Sequence, residues 1–151
     1  MIQADIGFGI YVFSLPGWGL MIFLILIECA MMSELIRKMF FNQSIFITTI
    51  ISNFISAILG MVISLLVTSG KWLIVWFPWV GREEVATEKQ FHLFAIYYIL
   101  AVGFTILIEV IANSLLLRQK YRLIRIIRAT FVANLISIIC GSAILYIFSF
   151  L

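Results

Sequence analysis

The amino-acid sequence predicts an all-α integral membrane protein, a four-helix bundle built from two tandem helical hairpins within a single domain. Three observations predict it. Sixty-four per cent of the 151 residues are hydrophobic and 11% are charged, against about half and a quarter in a soluble domain, so a globule of this length has nowhere to hide its apolar surface. The charges fall in short clusters and leave runs of about 20 residues, the length needed to cross a hydrocarbon core. The two halves of the chain also repeat each other.

Taken in order, residues 1–16 carry one charge, Asp5, with Gly7 and Gly9 ahead of Pro16, and read as an interfacial lead-in. They lack the basic start of a cleavable secretory signal, so they are expected in the mature protein. The first span covers 17–36 and stops at Arg37 and Lys38, with Asn42 and Gln43 in the following turn. The second, 45–67, has no charge. Residues 68–90 form an outer interfacial loop, where Trp72, Trp76 and Trp79 stand beside Arg82, Glu83, Glu84 and Glu88. Tryptophan next to charge marks headgroup depth, because the ring is apolar in body and polar at one edge. The third span is 91–117, and the fourth is 129–151, after a basic stretch of Arg118, Lys120, Arg122, Arg125 and Arg128.

The first and third connections hold seven of the ten Lys and Arg. Basic residues are retained on the cytoplasmic side, so those turns are expected inside, with both termini and the tryptophan loop outside, in a bacterial inner membrane.

Shifting the sequence by 81 residues lays 23–66 on 104–147 with 16 identities in 44 positions, against roughly one in ten from composition. The matches include Glu28 with Glu109, Ser33 with Ser114, Arg37 with Arg118, Asn53 with Asn134, Ser56 with Ser137 and Gly60 with Gly141. The pattern predicts a duplicated hairpin, 17–67 and 91–151. Each copy has an even number of spans, so both insert the same way round, related by a pseudo-twofold axis along the membrane normal.

Glu28 lies nine residues before Arg37, about 13 Å along a helix, which is close to mid-membrane. Asn53, eight residues into the next span, reaches the same depth on the facing helix, and Glu109 and Asn134 repeat the arrangement. A charged carboxylate at that depth costs about 2.5–3.5 kcal/mol or more, so each Glu should face the bundle and find a partner. Two readings are open. Each Glu is neutral and hydrogen-bonds Asn or Ser to hold the hairpin together, or the pair binds a proton or cation near the axis.

Ser52, Ser56, Gly60 and Ser64 recur every fourth residue, answered by Ala133, Ser137 and Gly141. Small residues at that spacing let helices approach closely, either within the chain or in a homo-oligomer. The basic residues Arg37, Lys38, Arg118, Lys120, Arg122, Arg125 and Arg128 border apolar runs, where snorkelling to anionic lipid headgroups is the first expectation and an acidic cytoplasmic partner the second. That placement argues against nucleic acid as a partner. The tryptophans are an interfacial belt rather than a ligand cage.

No enzymatic motif is present. His92 is the single histidine, no Gly-rich phosphate loop or nucleophile elbow occurs, and the loops leave little room for a catalytic domain. No enzyme activity, cofactor or metal is expected. Cys29 and Cys140 lie in apolar runs and read as small buried residues.

A Glu in the inner part of one span, a short basic turn and Asn53-x-x-Ser56-x-x-x-Gly60 in the next, recurring as Asn134-x-x-Ser137-x-x-x-Gly141, resembles the FraC-type filament-integrity membrane proteins of cyanobacteria over a hairpin of about 40 residues, and also small bacterial membrane proteins of uncharacterised role. The resemblance implies a non-enzymatic part in cell–cell or envelope organisation. The expected function is that of a non-catalytic membrane subunit or scaffold packing against other integral membrane subunits. The alternative is a small transporter or channel component that binds a proton or cation at Glu28 and Glu109.

Overall fold

The computed structural model describes residues 15–68 and 88–148. They form four helices, α1 (Leu15–Arg37), α2 (Gln43–Thr68), α3 (Glu88–Leu117) and α4 (Leu123–Phe148). Each contains a stretch long and apolar enough to cross a membrane, as a multi-pass membrane protein requires. The lead-in before Leu15 and the loop carrying Trp72, Trp76 and Trp79 lie outside the described residues.

Side chains are distributed in the reverse of a soluble protein. Glu109, Asn113, Thr130, Asn134, Ser33, Thr49 and Ser52 are at most 2% exposed, whereas Phe40, Leu66, Ile99 and Ile139 are 66% or more exposed. In water this arrangement would expose apolar surface while stripping polar groups of solvent. In lipid both placements are favourable, because the apolar side chains match the solvent and the polar ones find partners only inside.

The helices pack as a ring in chain order, α1 beside α2, α2 beside α3, α3 beside α4, and α4 back on α1. The most extensive contacts run between the hairpins, α1 with α4 and α2 with α3, rather than within them. Gly141 lies at a close point of this packing on α4, where a Cβ would stand 3.1 Å from Leu24 Cδ1 of α1. The buried stripe of Ser52, Ser56, Gly60, Ala133, Ser137 and Gly141 faces the chain's own interior. A homo-oligomer would therefore need another face. Ser64 falls where side chains are not described.

The helix ends explain where the sequence-based boundaries shift. Asn42 caps α2, its Oδ1 accepting the Ile45 N–H at 3.2 Å, so Gln43 is helical rather than part of the turn. Lys38 ends α1 in the left-handed region, φ 56°, with its N–H donating to Glu34 O at 2.8 Å. The fourth helix begins at Leu123, not at 129. Arg is a good helix former and its long stem reaches headgroup depth, so charge need not end a helix where hydrocarbon ends.

Beside these turns lies the apolar core of Met32, Ile36, Ile45, Leu117, Ile126, Ala129 and Ala133. Polar contacts tie the turns together: Lys120 Nζ donates to Ser44 Oγ at 2.9 Å, Arg125 Nη1 to Ile36 O at 3.3 Å, and the Arg37 guanidinium stands 5.9 Å from the Tyr121 ring centre.

Candidate functional site

Further from the turns, the four helices converge on two carboxyl groups. Glu28 on α1 is 5% exposed and Glu109 on α3 is 1% exposed. Each lies on an inward face because its helix presents buried residues one turn further on, Met32 after Glu28 and Asn113 after Glu109, and residues four apart share a face.

Asn53 Nδ2 donates to Glu28 Oε2 at 2.6 Å, and Asn134 Nδ2 donates to Glu109 Oε2 at 2.9 Å. These are the pairings expected within each hairpin. Both amides also donate to the carbonyl four residues back, Thr49 O at 3.0 Å and Thr130 O at 3.1 Å, which fixes the side chains against their own helices.

The remaining carboxyl oxygens are taken by the opposite hairpin. Ser137 Oγ of α4 is bonded to Glu28 Oε1 at 2.5 Å, and Ser56 Oγ of α2 to Glu109 Oε1 at 2.9 Å. Each hairpin thus supplies one carboxyl, one amide and one hydroxyl, and gives the hydroxyl away. The sequence placed Ser56 and Ser137 among residues that merely let helices approach. Close approach is real here, and it also brings a second partner to each carboxyl.

A second polar layer lies one helical turn nearer the basic turns, and sequence reasoning missed it. Thr49 Oγ1 contacts Met32 Sδ at 3.5 Å while donating to Ile45 O at 2.9 Å. Asn113 Nδ2 donates to Thr130 Oγ1 at 3.2 Å and lies 3.7 Å from Met32 Sδ. Asn113 Oδ1 has no hydrogen-bond partner among the described residues. The available signal was the i+4 spacing: Met32 and Asn113 follow their glutamates by one turn, and Thr49 and Thr130 precede their asparagines by one turn.

The other candidates are more dispersed. Arg122, Arg125 and Arg128 line a surface groove of about 370 Å³ with Leu35, Ile124, Ala129 and Val132. Arg37, Lys38, Arg118 and Lys120 are exposed around the turns. Cys29 and Cys140 are free thiols. The side chain of His92 falls outside those described.

The arrangement can hold helices together inside lipid without any outside ligand. The chain matches no protein-family model, no curated protein and no solved structure.

Proposed function

We propose that this protein is a non-catalytic membrane subunit or scaffold, made of a duplicated hairpin whose copies clasp each other through the Glu–Asn–Ser network and offer apolar outer faces to other integral membrane subunits. The observation that carries the reading is that all four carboxyl oxygens of Glu28 and Glu109 are hydrogen-bonded to side chains of the chain itself. A cation site requires oxygens that converge on the ion. Here amide and hydroxyl groups occupy those positions, which favours the scaffold over the transporter or channel component. The equivalence of the two sets of bonds at positions 81 apart supports duplication about a pseudo-twofold axis. The basic turns support a cytoplasmic location for that end in a bacterial inner membrane.

Glu28→Gln combined with Glu109→Gln tests the choice, because glutamine retains hydrogen bonding and cannot ionise. The expected result is unchanged co-purification of the membrane subunits that accompany the wild-type chain in mild detergent, and unchanged proton and cation flux in reconstituted vesicles. Flux carried by the wild type and lost in the variant would sink the scaffold reading, as would a wild type that purifies without any companion subunit.

The basic groove supports a lipid partner for the same scaffold. Arg122, Arg125 and Arg128 offer positive charge beside apolar Leu35, Ile124 and Val132, complementary to an anionic headgroup above its acyl chain. Changing the three arginines to Gln is expected to reduce phosphatidylglycerol retained on the purified protein several-fold, relative to phosphatidylcholine, as read by mass spectrometry of bound lipid. Equal retention by the wild type and variant would count against the site.

A further inference from the structure

The hydrogen atoms in the central network can be counted, and on each side one serine hydrogen faces two acceptor oxygens. Ser137 Oγ lies 2.5 Å from Glu28 Oε1 and 3.0 Å from the backbone O of Asn134. Both neighbours are acceptors when Glu28 is ionised, and a serine hydroxyl has one hydrogen. Asn53 cannot make up the difference, because its two amide hydrogens are committed to Glu28 Oε2 and Thr49 O. The same competition for one hydrogen recurs at the other carboxyl. Ser56 Oγ lies 2.9 Å from Glu109 Oε1 and 2.9 Å from Asn53 O, while Asn134 is committed to Glu109 Oε2 and Thr130 O.

One hydrogen on each carboxyl closes both counts. We infer that Glu28 and Glu109 are a pair of proton-binding sites, both filled in the folded protein, with each acid O–H directed across the hairpin boundary. The Glu28 Oε1–H donates to Ser137 Oγ, freeing the Ser137 hydrogen for Asn134 O. The Glu109 Oε1–H donates to Ser56 Oγ, freeing the Ser56 hydrogen for Asn53 O. Oε2 of each acid remains a carbonyl oxygen and accepts from its own hairpin's asparagine.

The electrostatics favour the same state. Asn53 of α2 and Ser137 of α4 are the hydrogen-bond partners of Glu28, and Asn134 of α4 and Ser56 of α2 are those of Glu109. Each acid is nine residues from the arginine at or just past the end of its helix, Arg37 or Arg118, about 13 Å away along the axis. Two unpaired anions at that depth would each carry the cost of intramembrane charge and would repel each other. Two neutral acids form four hydrogen bonds without net charge.

This inference is separate from the scaffold proposal, since the hydrogen count holds whatever the bundle binds. The test is infrared difference spectroscopy of the full chain in lipid vesicles at neutral pH, subtracting the spectrum of the Glu28→Gln, Glu109→Gln double variant. The expected difference is a protonated-acid carbonyl band, with no accompanying loss of carboxylate absorption, split into two comparable halves by the single variants. A carboxylate band in the difference would overturn the inference, and so would an acid band that one single variant removes completely. Should the double variant fail to fold, the single variants give the same assignment. Glutamine keeps the carbonyl acceptor and the donor that a neutral acid supplies, so both single variants are expected to fold.

Discussion

Asn134→Leu is expected to lower the stability of the folded chain by about 1–2 kcal/mol, the upper part of the range for intramembrane hydrogen bonds. Asn134 is 2% exposed, so water cannot replace what it supplies. Its loss leaves Glu109 Oε2 without a donor and removes the bond that pins the side chain to Thr130 O. The measurement is the unfolding midpoint in mixed micelles, with Asn113→Leu as the control. Asn113 is equally buried, but its Oδ1 is unpartnered among the described residues and one of its two donor contacts is a 3.7 Å approach to sulfur. Removing an orphaned acceptor offsets part of the lost bond, so the control is expected to cost clearly less. Equal losses at the two positions would deny the carboxyl network its special weight.

Gly141→Ile is expected to be as damaging, about 1–3 kcal/mol from overpacking, while Gly141→Ala stays near neutral. An added Cβ meets Leu24 Cδ1 at 3.1 Å, a gap that the end of a flexible leucine can open by a few tenths of an ångström. Alanine also recovers up to about 1 kcal/mol of helix propensity over glycine, which balances the crowding. The further atoms of isoleucine have no such outlet. They push α4 away from α1 one turn beyond Ser137, whose bond to Glu28 spans that interface. Thermal midpoints of the two variants, read beside the single variant Ser137→Ala, separate simple crowding from loss of the clasp. An isoleucine variant as stable as the alanine one would place no close crossing at Gly141.

Much of the fold was legible because lipid imposes simple rules. Apolar runs with few charges locate the spans, and Arg37 and Arg118 mark the ends of two of them to within a residue of the observed helices. The Glu28–Asn53 and Glu109–Asn134 pairs were legible too, since antiparallel helices joined by a short turn place equal offsets at equal depth. The exchange of Ser56 and Ser137 between hairpins was not. Depth arithmetic sees only the partner across a turn, whereas α1 and α4 are neighbours because of how four rods close into a ring, which no local spacing encodes. Small residues every fourth position are also ambiguous, as the same hydroxyl that permits approach can bond whatever approaches. The early start of α4 was hidden for a different reason. Arg125 and Arg128 are helical residues that also serve as interfacial anchors, so the helix runs on past the apolar stretch that set the boundary at 129.

A double-mutant cycle across the hairpin boundary tests the clasp most directly. Glu28→Leu and Ser137→Ala, singly and together, are compared in the full chain with Glu28→Leu and Ser56→Ala, a pair within one hairpin. An interlocked bundle gives a coupling of at least about 0.5 kcal/mol for Glu28 with Ser137, larger than for Glu28 with Ser56. Additive losses at Glu28 and Ser137, or stronger coupling inside the hairpin than across it, would contradict the exchange on which the whole account rests.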